Sequence, residues 1–386
     1  MRYGRRMLDF KLTEEQDQLI ASARRFTKER IIPVAAEADR LSEFPAGLFE
    51  AAWETGLVNP TVPAEYGGMG LGELESTMIT EELAYGCTGI QTSITANTLA
   101  ATPVILGGSE EQKKKYLGML TSEPVCASYA TSEPNAGSDV AGLQCKFTRH
   151  GEDFVLNGAK AWITNASRAR WFVVFATEDP ASRHKGIAAF LIDRDTPGFK
   201  VMKHEDKLGQ RASDTCGLTL EEVKIPKSQL LAPPGAGFKL AMETFNTTRP
   251  DIGAGAVGLM RRCLDECVAY SKERKTFGVP IASHQMIQFM LAEMAIRIEA
   301  TQLLVRKAAW ALDAKARSPL TSSCAKAFGA DAAMATAIDA VQIFGGNGYV
   351  KEYPVEKLMR DAKILQIYEG TSQIQRMVIA KQVLGV

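Results

Sequence analysis

The sequence predicts an α+β multidomain fold: a helical N-terminal domain, a middle antiparallel β domain and a C-terminal helical bundle. Three observations carry this. Helical periods with capping signals fill the chain to residue 125, short β-rich runs cut by Pro and Gly fill 126–235, and long amphipathic or nearly all-apolar stretches fill 236–386. The domains so drawn are 1–125, 126–235 and 236–386, with no internal repeat. A chain of 386 residues is long enough to bury several cores.

In the first domain, Thr13 followed by Gln16 is a capping box. Leu19, Ala23 and Phe26 then keep to one helical face, and Pro33 is expected to stop the helix. Ser109 with Gln112 repeats the capping pattern, and PAEYGGMGLG (63–72) reads as a loop. In the second domain, 140–148 and 154–156 read as strands about a turn at 151–153, with Asn157-Gly158 a further turn signal. The runs 171–176, 187–192 and 217–223 are further strands, separated by Pro180, Pro197 and Pro226. After Pro233-Pro234-Gly235 the helical period returns at 238–245, 253–271, 284–312 and 322–343.

Composition narrows the function classes. Lys+Arg and Asp+Glu balance at 45 each, so no net field favours nucleic acid, and none is expected as a partner. No apolar run approaches the ~18 residues of a membrane span, so no transmembrane segment is expected. The opening MRYGRR is basic without a signal-like apolar stretch, and reads as a frayed start or a remnant. The seven cysteines are odd in number and scattered, and Cys263 and Cys267 have no histidine beside them, which suits reduced structural thiols in a reducing compartment. The four histidines are dispersed, so no metal is expected.

Four segments stand out chemically. Tyr129-Ala-Thr-Ser-Glu-Pro-Asn-Ala-Gly-Ser-Asp139 gathers hydroxyls and backbone amides that suit a heteroaromatic ring or a phosphate, or else a polar surface turn. Trp162-Ile-Thr-Asn165 follows a strand and, taken alone, reads as a buried tryptophan in core packing. Arg274-Lys-Thr-Phe-Gly278, with His284-Gln285 and Gln342-Ile-Phe-Gly-Gly-Asn-Gly348, offers a cationic fork and a glycine-rich turn that could take a pyrophosphate. Gln366-Ile-Tyr-Glu-Gly-Thr-Ser-Gln-Ile-Gln375 sets the lone carboxylate of Glu369 in an apolar stretch: either a buried functional group or a helix-initiating Glu facing water.

Together these segments resemble the acyl-CoA dehydrogenases, and among them the medium-chain type. The resemblance runs from about Leu12 to the C-terminus, through EELAYGCTG (81–89), TSEPNAGSDVAG (131–142), WITN (162–165), ERKTFG (273–278), LAEMA (291–295) and EYPVEKLMRDAKILQIYEGTSQIQR (352–376). It implies the same α–β–α fold, assembled as a homotetramer (dimer of dimers), with FAD as cofactor, an acyl-CoA substrate and electron-transferring flavoprotein as acceptor. It implies that Glu369 removes the α-proton while the β-hydrogen leaves as a hydride to flavin N5, giving a trans-2-enoyl-CoA. By the same resemblance the thioester carbonyl is polarised by the Glu369 amide and a flavin ribityl hydroxyl. The flavin ring would contact Tyr129, Ala130, Thr131, Ser132, Ser138, Trp162 and Thr164; Ser132 stands where the pattern has Thr, so the hydroxyl is kept. The ADP half would be held by Arg274, Thr276, Phe277, Gln285, Gln342, Gly346, Thr371 and Gln373, some of them from a neighbouring subunit. Substrate contacts would be Ser138, Gln91, Thr95, Asn246, Arg249, Tyr368 and Gly370. Asn246 replaces an Asp of the pattern, and Arg249 either meets CoA or ties its helix to the Glu369 loop.

Some members place the base at the position held here by Thr248; Thr248 with Glu369 favours straight-chain substrates. Gln91 stands where glutaryl-type members have Arg, which disfavours a dicarboxylyl substrate, and Thr95 stands where the medium-chain pattern has Glu, which deepens the pocket. The expected activity is therefore α,β-dehydrogenation of a straight-chain, medium-length acyl-CoA. A short- or long-chain preference, or a redox-neutral lyase of the same fold, is the alternative. The location implied is cytoplasmic in a bacterium or the mitochondrial matrix in a eukaryote.

Overall fold

The computed structural model describes residues 11–316 and 318–385, so the basic opening hexapeptide lies outside the described residues. The N-terminal helices are α1 (Glu14–Phe26), α2 (Ile32–Leu41), α3 (Leu48–Glu54), α4 (Glu73–Gly86), α5 (Thr88–Gly107) and α6 (Glu110–Ser122). Both expected capping boxes form, at Thr13/Gln16 and Ser109/Gln112, each pairing a hydroxyl with one amide and a glutamine with another. Pro33 does not stop the first helix. The chain passes from α1 through a π turn, Thr27–Ile31, straight into α2, and Pro33 sits in the first turn of α2, where a missing N–H costs least.

The middle strands are β1 (Cys126–Ala130), β2 (Lys146–His150), β3 (Asp153–Thr164), β4 (Ala169–Thr177), β5 (Ile187–Asp193), β6 (Phe199–His204), β7 (Thr215–Ile225) and β8 (Leu230–Ala232). They form one sheet in the order β6-β7-β3-β2-β4-β5-β8, with β1 also on β4. The sheet is mixed rather than purely antiparallel, because β1 runs parallel to β4 and β2 meets β4 in parallel at Lys146 and Thr177. Asn157-Gly158 is not a turn either. β3 runs through it and shifts register against β7 there; a Cβ at Gly158 would lie 2.7 Å from the Cys145 Cα, so the glycine serves close approach of two strands. The 140–148 run is strand only from Lys146, with Val140–Gly142 in a 3-10 turn. One sheet face, carrying Trp171, Val173 and Phe175, packs on Val104, Tyr116, Leu117 and Leu240 of the helices. The opposite face holds Phe147, Phe154, Phe172 and Phe190 in a second core.

The C-terminal bundle holds α7 (Ala236–Glu273), a small hairpin of β9 (Lys275–Thr276) and β10 (Val279–Pro280), then α8 (Gln285–Asp313), α9 (Pro319–Phe344), α10 (Val355–Leu365) and α11 (Ser372–Leu384). The two helices expected at 238–245 and 253–271 are one, with Pro250 inside it. The segment Pro319–Tyr349 is apolar and long enough to cross a bilayer by length and composition, which corrects the expectation that no such run exists. In the structure α9 packs against α7, α8, α10 and α11, as a core helix does. All seven cysteines are free thiols, and all but Cys324 are buried.

Candidate active site

Glu369 lies in the short turn between α10 and α11, not at a helix start. Its backbone is left-handed (φ 51°), as is Gly370 (φ 90°), and a Cβ on Gly370 would lie 2.6 Å from the Gln375 amide nitrogen. The bend therefore requires glycine at 370 and aims the Glu369 side chain back at α7. There its Oε2 accepts a 2.7 Å hydrogen bond from the Thr248 hydroxyl. The two positions that sequence reasoning marked as alternative seats for a base thus face each other across one hydrogen bond.

The turn is held by buried donors. Arg249 Nε donates to the Glu369 carbonyl (3.4 Å) and its Nη1 to Asn246 Oδ1 (2.7 Å). Gln375 Nε2 donates to the carbonyls of both Glu369 (3.1 Å) and Gly370 (3.0 Å), and Lys326 Nζ to that of Gly370 (2.6 Å). Arg249 thus ties α7 to the Glu369 turn. Among the described residues the Glu369 amide donates to no backbone carbonyl, which leaves it available to a ligand. Burial pushes the Glu369 carboxyl above its ordinary range, while the Thr248 hydroxyl, Arg249 and Lys326 pull it back down. Burial likewise lowers Lys326 to about 8, against the pull of Glu369.

Sequence reasoning did not single out Lys326 or Gln375. A lysine inside the apolar stretch of α9, at zero exposure, was the available signal for the first. Gln375 had none beyond its neighbourhood to Glu369.

Across from this turn stand Tyr129 and Ala130 at the end of β1, with Thr131 and Ser132 in the loop that follows. The Tyr129 ring packs edge-on against Phe245 of α7 (5.5 Å between centroids), and its phenol feels the Glu369 charge. Tyr129 Oη and Thr131 Oγ1 are buried with no hydrogen-bond partner beyond each other among the described residues. Trp162 is not core: the indole is 56% exposed on a left-handed residue (φ 60°) where β3 shifts register against β7. Thr164 closes β3, its carbonyl accepting from Ser128 Oγ (2.7 Å), and Asn165 Nδ2 reaches the Ser93 carbonyl of α5 (2.8 Å). An uncovered indole on a strained residue, near under-used hydroxyls, fits a planar polar ring system such as a flavin.

Gln91 and Thr95 share a hydrogen bond on α5 (2.9 Å), and Gln91 lies against Gly255 of α7. Tyr368 reaches Gln210 (3.5 Å). Ser138 and Gln373 are exposed, and Thr371 caps α11 through its own hydroxyl. The remaining residues of the expected pyrophosphate grip form a second group. Arg274 caps the far end of α7, and Thr276 and Phe277 lie in the β9–β10 hairpin that follows, with Thr276 bonded to His284 (3.0 Å) and Phe277 97% exposed. Gln285 opens α8. Gln342 and Gly346 flank the turn whose Asn347 donates to Tyr270, one helical turn from Arg274. From Arg249 to Arg274 the rise of α7 amounts to about 37 Å, so one chain does not bring the two groups together. Elsewhere the β6–β7 pairing sets His204 beside Asp214 and Cys216, within 4.8 Å of one another, although the histidines are dispersed in sequence.

An accessible indole beside under-used hydroxyls fits a flavin, and the chain is a flavin-dependent oxidoreductase. Three family models cover it: the acyl-CoA dehydrogenase N-terminal domain at 13–124, the middle domain at 128–223 and the C-terminal domain at 235–384. The chain belongs to the acyl-CoA dehydrogenase family, whose cofactor is FAD. It is 48% identical to a probable medium-chain specific acyl-CoA dehydrogenase, mitochondrial, of Caenorhabditis briggsae, over 98% of this chain and 93% of that one. It is 43% identical to the probable acyl-CoA dehydrogenase FadE25 of Mycobacterium tuberculosis, over 97% of each. Among solved structures it resembles butyryl-CoA dehydrogenase from Megasphaera elsdenii, with TM-score 0.94 and 37% identity, covering 98% of this chain and 100% of that one.

Proposed function

We propose that the chain dehydrogenates straight-chain acyl-CoA thioesters of medium length between C2 and C3, with Glu369 as the base that removes the C2 proton. The observation that carries this reading is the Glu369 carboxyl itself, turned inward by a left-handed backbone and held against Thr248. Burial makes it a stronger base than a Glu in water, so it can take a proton from carbon near neutral pH. Its free amide is placed to polarise a thioester carbonyl, which acidifies C2. Arg249, Gln375 and Lys326 fix that amide by holding the two carbonyls beside it. Bound FAD would supply the acceptor for the hydrogen leaving C3, held by Tyr129 to Ser132, Ser138, Trp162 and Thr164 at the ring. The acyl chain would run past Tyr368, Gln91 and Thr95, and the CoA past Ser138, Asn246 and Gly370. With no cation at Gln91, a distal carboxylate would be buried unpaired, which supports a plain alkyl chain.

The ADP grip at Arg274, Thr276, Phe277, Gln285, Gln342 and Gly346 would serve the FAD of a second copy, while Thr371 and Gln373 lie beside the Glu369 turn. Phe289, Ile296, Leu303 and Trp310 are exposed along α8 at seven-residue spacing, which supports a homotetramer built on helix faces. Electron-transferring flavoprotein is the proposed acceptor, and the mitochondrial matrix or bacterial cytoplasm the proposed location.

The test is anaerobic bleaching of the purified yellow protein by a series of acyl-CoAs. Fast bleaching by octanoyl-CoA, falling off for butyryl-CoA, is expected; a preference for butyryl-CoA would reject the chain-length assignment, and no bleaching by any thioester the dehydrogenase reading. Arg274→Ala is expected to lose FAD on dialysis while the apoprotein keeps its fold, and full retention of flavin by that variant would refute the pyrophosphate assignment.

A further inference from the structure

A second buried carboxylate lies beside the site and has no role in the chemistry above. Asp251 follows Thr248 by three residues on α7, so the two share a helix face, and Thr248 is the residue bonded to Glu369. Asp251 Oδ1 accepts from two hydroxyls of α4, Ser76 Oγ at 3.2 Å and Thr80 Oγ1 at 3.1 Å. Ser76 is bonded through its amide to the Gly72 carbonyl one turn earlier (3.1 Å). Gly72 in turn lines a surface cavity of about 170 Å³, together with Thr102 of α5, Thr247 of α7 and Asp313 of α8. Thr247 of the cavity wall precedes Asp251 by one helical turn on the same face of α7, so the buried carboxylate and the surface cavity are neighbours along that helix.

We propose that Asp251 is a proton-relay residue, which receives the C2 proton from Glu369 and passes it to water in the surface cavity beside Thr247. The inference rests on Glu369 being the base. The Glu369 carboxylic acid gives its proton to the Asp251 carboxylate, Asp251 gives it to solvent, and both end ionised with no electrons moved. A sealed active site needs such an exit, because substrate and cofactor would cover the open side of Glu369.

The electrostatics agree with this role. Burial, joined by the Glu369 charge, pushes Asp251 up to about 7, with the Thr80 and Ser76 hydroxyls opposing. Arg249 on α7 and Lys326 on α9 act on Glu369. On α4, Glu81 and Glu82 are engaged by Arg24, Arg261 and Arg306 instead, and on α10 Asp361 is paired with Lys357. At the cavity Asp313 accepts the Glu73 and Leu74 amides. A group that titrates near neutrality can both accept and release a proton there.

The test uses the holoenzyme with 3-thiaoctanoyl-CoA, which has an acidic C2 position and no C3 hydrogen to lose. Exchange of the C2 hydrogens with D2O is read by mass spectrometry through neutral pH. Asp251→Asn keeps an acceptor for Ser76 and Thr80 and cannot carry the proton. It is expected to slow exchange at least ~10-fold, with unchanged ligand affinity, and to remove the step near neutral pH from the wild-type profile. Wild-type exchange and profile in Asp251→Asn, with none in Glu369→Gln, would overturn the relay alone, whereas exchange surviving in Glu369→Gln would overturn the base assignment. Infrared spectra of wild-type holoenzyme with 13C-labelled aspartate need no variant: a protonated-carboxyl band that titrates near neutrality is expected, and its absence overturns the proposal.

Discussion

Glu369→Gln is expected to bind FAD as the wild type does and to slow flavin reduction by acyl-CoA ~10²–10⁴-fold, the usual worth of a positioned base. The amide keeps the size of the carboxyl and can still meet the Thr248 hydroxyl, now 2.7 Å from Oε2, so the turn between α10 and α11 should survive. Only the ability to take a proton is lost. Stopped-flow absorbance under anaerobic conditions separates the two, since flavin content is read before mixing and reduction after it. The wild-type profile has a defined sign. Burial raises the Glu369 carboxyl, the ionised form is the active one, and reduction should therefore fall as pH drops through a midpoint above the ordinary carboxylate range. A Glu369→Gln variant reducing its flavin at near wild-type rate would refute the base.

Lys160→Met is expected to destabilise the chain by about 3–5 kcal/mol, the usual cost of stranding one partner of a buried ion pair. Lys160 is fully buried on β3 and donates to Glu133 (2.8 Å) and to the Thr131 carbonyl (3.2 Å). Glu133 also accepts the Gln144 and Cys145 amides, at 2.6 and 2.9 Å, so it clamps the loop after β1 onto the start of β2. Removing the ammonium leaves that carboxylate buried without its cation and frees the segment 131–133, which carries expected flavin contacts. Chemical denaturation reads the stability, and flavin retained after gel filtration reads the loop. Adding Glu133→Gln to Lys160→Met should recover much of the stability, because the glutamine can still accept an amide while carrying no charge. A single variant as stable as wild type would show that the pair is not what holds this loop.

Local chemistry made much of the fold legible. The capping boxes at Thr13 and Ser109, the strands around 171–176, 187–192 and 217–223, and the helices after Gly235 all follow from spacing and side-chain type. What misled were signals that tertiary contacts overrode. Pro33 looks like a break and 246–252 like a gap between two helices, yet each lies in a continuous helical run, Pro33 where its missing N–H is harmless and the gap, with Pro250, inside a long helix packed against α4 and α9. Asn157-Gly158 looks like a hairpin turn, yet its glycine admits the neighbouring strand. At the site, Glu369 was legible because a lone carboxylate in an apolar stretch is costly. The exposure of Trp162 was not, since it depends on a register shift between β3 and β7 that no local pattern encodes. Nor were Lys326 and Gln375, which reach the Glu369 and Gly370 carbonyls from α9 and α11 only once the bundle has closed.

The most direct measurement is a crystal structure of the holoenzyme with a non-reactive acyl-CoA analogue. The proposal requires one Glu369 carboxyl oxygen within about 3–3.5 Å of C2, with the Glu369 amide on the thioester oxygen. A complex in which that carboxyl turns to solvent, and Asp251 or another group stands over C2, would contradict it.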